Sequence, residues 1–442
     1  MEFINIYQTT TNNILQYLAR QVLSTEIEQC ETNGKELNMY NLLKSKNDGL
    51  KDDLIAFTQK LIRTPSPSLG ESEAATLVEQ ELKRIPCDKV FRDDVGNVIG
   101  LMLGREAEPT VLLNCHMDTV PVSHETLWKE SPTSGSISEG RIYGLGAADC
   151  KGGLAAHVYT AALLKRSLLP LRGNLVIAAT VAEENGCSIG VRHLMEKTLP
   201  AINLKPTYAI LGEPTGLGLY YGHDGWVEMD INVEGNNPFL VDDAANAIFN
   251  EYSSRNTDEP GTLSLQRPRF RNDAGRRQAT IQMNRRLRPA ENVGSILTQT
   301  KHEANMVAQA NGTVAVAVAV RQENQKLYTG QTTLVRRVVQ AWMTDPFHVL
   351  MERARQALSA ADCMARPGKW ALDRIGMGTA GSVLTGEFHV PTIGYGPGSE
   401  LMAHAVDESV SVEKVSEAVY GTAAMVHGLI GIPVFGWTAD EI

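Results

Sequence analysis

The stretch NLVIAATVAEENG, Asn174 to Gly186, decides the fold. A nearly unbroken apolar run ends in two adjacent glutamates, Glu183 and Glu184. An apolar run this continuous is expected of a strand covered on both faces, as in a parallel sheet with helices on either side. Two neighbouring carboxylates repel each other, so a strand end that carries both needs a reason. A solvated strand end is the plain alternative for an isolated pair. Charged residues at other strand ends separate the two readings.

Working outward, TVLLNC (110–115), PTYAIL (206–211) and VPTIGY (390–395) are further apolar runs. GGLAAHVYTAALLK (152–165) and SIGVRHLME (188–196) between them have helical patterns. Strands separated by helices predict an α/β domain with a mainly parallel sheet flanked by helices. The middle of the chain differs. WVEMDINVEG (226–235), RQATIQMNRRL (277–287) and TVAVAVAV (313–320) alternate with period two, and AANAIFNEYSS and ENVGSILTQTKHEANMVAQ read as helices between them. This predicts a smaller inserted α+β domain. The expected organisation is an N-terminal helical appendage over 1–50, a first part of the main domain over 51–224, the insert over 225–338, and a second part over 339–442. Ile14, Leu15, Leu18 and Val22 mark one helical face in the appendage, and GLKDDLIAFTQKLI is a helix ended by the loop around Pro65 and Pro67.

At 442 residues the chain exceeds one comfortable core. Its net charge is −10 without a basic cluster, which argues against nucleic acid and anionic membranes as partners. The N-terminus lacks a signal-peptide pattern, and AAMVHGLIGIPVFGW is too short and broken to span a bilayer. The six cysteines form no CxxC pair and read as free thiols of a cytoplasmic protein.

Ligands of open α/β sheets bind beyond the carboxyl ends of the strands. His116 and Asp118 follow TVLLNC, Asp149 precedes a glycine-rich helix start, Glu183 and Glu184 follow NLVIAATV, Glu213 follows PTYAIL, and His404 follows VPTIGY. Each alone has an ordinary reading: a surface imidazole, a helix cap at Asp149, a turn residue at Glu213. Together they put carboxylates and imidazoles at one rim, and such crowding is costly without cations. Two histidines with several carboxylates suit zinc, with manganese or cobalt as alternatives.

CHMDTVPV, GRIYGLGAADCKGG, VAEENG, LGEPTGL and IGYGPGSELMAHAVDESV, in this order, resemble the di-zinc family of aminoacylases, acetylornithine and succinyl-diaminopimelate deacylases and glutamate carboxypeptidases, over about residues 55–435. YTGQ (328–331), Trp370 and GTAGSV (378–383) are most similar to its selenium-metabolism-linked hydrolase branch. The resemblance implies two zinc ions, one held by His116 and Glu213, the other by Glu184 and His404, with Asp149 bridging. It implies a cis peptide after Asp149, Asp118 orienting the His116 imidazole, and Glu183 as general base and then acid. The implied reaction is hydrolysis of the amide of an N-acyl amino acid or small peptide. Arg286 matches the family's substrate-carboxylate arginine and Asn246 a position near the substrate; the insert would act as lid or homodimer contact.

Three positions depart from the family. Phe239 stands where the insert usually carries an oxyanion-assisting histidine, Ala380 where an Asp or Asn is usual, and Asp224 where an arginine is usual. Loss of one oxyanion donor costs about 10²–10³-fold in turnover. A metal-binding homologue with weak or no catalysis, serving as a binding or regulatory module, is therefore the competing reading. A metal-free α/β protein with ordinary rim charges is the other. Cys115, Cys150 and Cys187, each near a site residue, read as small buried fillers.

Overall fold

The computed structural model describes residues 39–433, apart from 186, 256–261, 274, 310–313, 364 and 372–377. The helical stripe expected at Ile14–Val22 lies outside the described residues. Of the appendage expected over 1–50, the described part begins at Met39. Met39–Asp48 is a helix whose Leu43 is fully buried, and its Asn47 side chain donates to the carbonyl of Ser416 at 3.0 Å. This helix belongs to the main core, because its apolar face packs against the C-terminal helix Val412–Ile430.

The main sheet is mixed. Thr110–His116 lies at its centre, parallel to Asn174–Thr180 on one side and to Tyr208–Leu211 on the other, and Thr392–Gly394 continues the parallel set. Lys89–Arg92 and Val98–Met102 add two antiparallel strands at one edge, and Leu219–Tyr220 with Pro367–Gly368 close the other. The central strands are buried on both faces, as their continuous apolar runs require. In Thr110–His116, Leu112 faces one apolar cluster while Val111, Leu113 and Cys115 face the other. Helices Gly152–Arg166 and Val412–Ile430 cover the second of these faces.

A second sheet, wholly antiparallel, is built on Gly225–Gly235 and Arg276–Leu287. Ala315–Val320 flanks it at one edge, and the helices Pro238–Arg255 and Val293–Gln309 cover one face through an apolar cluster of its own. The period-two pattern is visible in Arg276–Leu287: Ala279, Ile281, Met283 and Leu287 are buried. A hairpin of Gln322–Lys326 and Thr332–Arg336 follows, and its Leu327 and Val335 are buried in the main core rather than in that of the second sheet.

A candidate dinuclear metal site

The carboxyl ends of the parallel strands bring the predicted residues together. His116 ends the central strand, and its Nε2 lies 3.2 Å from Asp149 Oδ1 and 3.8 Å from Glu213 Oε2. His404 Nε2 lies 2.8 Å from Glu184 Oε1 and 3.5 Å from Asp149 Oδ2. The two oxygens of Asp149 thus face different imidazoles. The ligand atoms fall into two groups, each spanning no more than 4.8 Å: His116, Asp149, Cys150 and Glu213, and Asp149, Glu184 and His404. Cys150, expected as a buried filler, is indeed buried, but its thiol also falls within the first group and lies 3.6 Å from the His116 carbonyl oxygen. The peptide Asp149–Cys150 is cis, as the resemblance implied.

Close approach of backbone brings Asp149 and Glu213 together. The helix that follows Asp149 begins Gly152–Gly153, and a Cβ at Gly153 would sit 1.8 Å from the carbonyl oxygen of Gly212. Only a residue without a side chain fits there. The short loop before the helix is held from the opposite side by Glu408. Its buried carboxylate accepts from the backbone N–H groups of Gly146 (2.9 Å), Ala148 (2.8 Å) and Asp149 (3.0 Å). This role of Glu408 is not legible in the sequence, because three backbone donors from a distant loop leave no mark on it.

Asp118 is placed differently from its expected contact. The His116 Nδ1 lies 2.8 Å from the Asp118 backbone carbonyl and 3.6 Å from its carboxylate. The carboxylate instead accepts from the backbone N–H of Glu183 and of Glu184, each at 3.1 Å, and from the Ser68 hydroxyl at 2.5 Å. The carbonyl fixes the imidazole so that Nε2 faces Asp149. The side chain holds the glutamate pair. Glu71, fully buried, accepts from the N–H of Ala182 at 3.0 Å, where the backbone turns into the left-handed region at φ 51°.

The electrostatics fit a cation pair. Burial pushes the Glu183 carboxyl up to about 8, against the pull of His116 and with help from Glu184, Asp118 and Asp149. Burial and the carboxylates of Asp149, Glu183 and Glu184 hold Glu213 well above its ordinary range, although His116 opposes them. Burial disfavours a charge on His404, yet Glu184, Asp149 and Glu408 outweigh it and raise the imidazole to about 9. Glu213 Oε1 is buried without a hydrogen-bond partner. Crowded carboxylates and an orphaned buried oxygen are what bound divalent cations relieve.

Arg286 and Asn246, the candidates for substrate contact, belong to the second sheet and its helix and to neither ligand group. Arg286 lies on the strand Arg276–Leu287, with Nη1 3.9 Å from Asp224 Oδ2, so the departing Asp224 faces the arginine directly. Asn246 is exposed on the helix Pro238–Arg255. Phe239, in the first turn of that helix, is 81% exposed. Ala380 is buried at the start of the helix Gly381–Leu384. His223 has both ring nitrogens engaged within the fold. Its Nε2 accepts from the Thr379 N–H at 2.9 Å and its Nδ1 donates to the Asp224 carbonyl, while burial lowers its pKa to about 4.

Comparison with known proteins agrees with this geometry. The pattern of Peptidase family M20/M25/M40 matches residues 112–428. The chain is 25% identical over 420 residues to an uncharacterized protein of Escherichia coli, YgeY, covering 91% of this chain and 98% of the relative. It is 32% identical over 165 residues to a succinyl-diaminopimelate desuccinylase of Cereibacter sphaeroides, covering 37% of this chain and 43% of the relative. Among solved structures, the dipeptidase Dug1p of Saccharomyces cerevisiae superposes with a TM-score of 0.65 at 14% identity, over 88% of this chain and 98% of that one. The Bacillus subtilis protein YXEP, a dinuclear metal-binding peptidase, superposes with a TM-score of 0.62 at 15% identity, over 86% and 98%. The match over most of its length, on the fold and the rim cluster described above, makes this chain a member of the metal-dependent peptidases and amidohydrolases of family M20/M25/M40.

Proposed function

We propose that the protein hydrolyses the amide bond of an N-acyl amino acid or small peptide at a two-cation site, with Glu183 as general base and acid. The observation that carries this reading is the splitting of Asp149, one oxygen toward His116 and the other toward His404. His116 and Glu213 would hold one cation, Glu184 and His404 the other, and Asp149 both. Zinc suits this donor set, with cobalt or manganese as alternatives. When bound, such a pair supplies Lewis acidity toward the attacking water and the scissile carbonyl.

The chain's own groups do the rest. Glu183 lies beside Glu184 but outside the ligand groups, so its carboxylate is left to take a proton from the attacking water. It then delivers that proton to the leaving nitrogen, and the amide C–N bond breaks. The amides of Glu183 and Glu184, both donated to Asp118, keep base and ligand in fixed relation. Arg286 is the group for a substrate carboxylate, partly balanced by Asp224. The insert, taken as 225–338, also serves as the contact of a homodimer in this reading.

Metal analysis combined with turnover tests the proposal. Two divalent ions per chain are expected, with hydrolysis of some members of a panel of N-acetyl amino acids and dipeptides, abolished by chelator and restored by zinc. Two bound ions without turnover on any member would favour a binding or regulatory role instead.

A further inference from the structure

The loop that carries Glu183 and Glu184 is also gripped at its far end. Two side chains from beyond the second sheet converge on one backbone oxygen, the carbonyl of Asn185. Gln325 Nε2 donates to it at 3.0 Å and Arg337 Nη1 at 2.7 Å. Both side chains are held in turn. Gln325 is buried and donates to Glu323 at 2.9 Å. Arg337 makes a two-nitrogen pair with Glu228 Oε1, at 3.1 Å and 2.8 Å, and lies over the Trp226 ring at 5.2 Å. Glu228 and Trp226 belong to the long strand Gly225–Gly235 of the second sheet. The hairpin that bears Gln325 is anchored to the main domain at its tip: Leu327 is buried there, and the Tyr328 hydroxyl donates to the Gly96 carbonyl at 2.8 Å.

We propose that Gln325 and Arg337 are positioning residues for Glu184 and Glu183, and that the hairpin Gln322–Arg336 is a strap through which the second sheet sets the geometry of the metal-and-base loop. The loop's other backbone groups are taken from the main domain: the Ala182 N–H by Glu71, and those of Glu183 and Glu184 by Asp118. Asn185 itself is exposed, and the side-chain donors to its carbonyl among the described residues are Gln325 and Arg337. The two donors constrain it from different places, Arg337 tied to the second sheet through Glu228 and Gln325 carried by the hairpin. A shift of that sheet relative to the main domain would be passed to Glu184 through one peptide unit. Supporting partners of metal ligands typically cost about 10–100-fold in affinity when removed.

The inference rests on the two-cation reading, and the test keeps the two separable. In the unmodified protein, chelator competition should resolve two equivalents of zinc. In Gln325→Leu and Arg337→Met, the equivalent that depends on Glu184 should weaken about tenfold or more while the other is unchanged. Turnover should fall in kcat with KM little altered, and Arg337→Lys should recover part of the loss. Unchanged zinc binding in both variants, with only the melting temperature lowered, would overturn the proposal and leave the contacts as plain packing. Gln325→Leu serves where Arg337→Met fails to fold because Glu228 is left with Arg321 as its charged partner. Should the unmodified protein bind no metal, the functional reading fails, and hydrogen exchange judges the strap by itself. The amides of Ala182, Glu183 and Glu184 should then exchange faster in Gln325→Leu, and equal exchange would overturn it.

Discussion

Glu183 and Glu184 are adjacent in the chain, yet their carboxylates meet different neighbours. Glu183 accepts from the Ser188 hydroxyl at 3.2 Å, while Glu184 lies against His404 at 2.8 Å. This difference separates their proposed roles. Glu183→Gln should keep both zinc equivalents and lose turnover by about 10²–10⁴-fold, because it removes only proton transfer. Loss of zinc with undiminished activity per bound ion would exchange the two roles. A second residue reports on burial alone. His157, in the helix beneath the central strand, has Nδ1 3.4 Å from Cys115 Sγ, and burial lowers its pKa to about 3. The folded chain keeps this imidazole neutral, whereas the unfolded chain takes up a proton below its ordinary pKa of about 6.5. Its contribution to stability is therefore intact above about pH 6.5 and lost as pH falls toward about 3. Near pH 5 the loss is about 2 kcal/mol, from about 1.4 kcal/mol per pH unit. Thermal melts of His157→Gln between pH 7 and pH 5 should show a shallower fall than the parent, and equal slopes would contradict the assignment.

At the scale of elements, the start of the helix Gly152–Arg166 is the joint on which the site depends. Its first turns press on the Gly212 backbone, one residue before Glu213, while Asp149 lies just ahead of it. Gly153→Ala would place a methyl group in contact with backbone that cannot yield as a flexible side chain would. Overpacking of this kind costs about 1–3 kcal/mol. The expected result is a lower denaturant midpoint together with weaker zinc binding, since helix and strand must separate and carry Asp149 away from Glu213. A variant with reduced stability and parental zinc affinity would show that the helix adjusts without disturbing the ligands.

At the scale of the molecule, Ala315–Val320 is, among the described residues, an edge strand of the second sheet. Ala315–Val320 pairs on one side with Gly225–Gly235, and Ala315, Ala317 and Ala319 are exposed on an uncharged strand. Open apolar edges are templates for pairing with another chain, and a two-fold axis would let two copies satisfy each other. The mass in solution should be that of two chains, reduced to one by Ala317→Lys. A monomer in the unmodified protein would end the dimer proposal. Among the described residues no helix is long and apolar enough to cross a membrane.

The sequence by itself determined the alternation of apolar strands and helices and the rim residues from His116 to His404, because strand burial and ligand chemistry leave local marks at fixed spacing. It also marked the period-two strands of the second sheet. It did not disclose the edge strands Lys89–Arg92 and Val98–Met102, which are short and carry no distinct period. Nor did it disclose that Met39–Asp48 belongs to the core, since an amphipathic helix does not name the surface it will cover. Only the tertiary structure decided that Asp118 holds the glutamate pair with its side chain and His116 with its carbonyl, that Glu408 braces Asp149, and that Gln325 and Arg337 grip Asn185. Those contacts join residues up to hundreds of positions apart through backbone groups, which every residue type carries alike and which therefore leave no trace in composition or spacing.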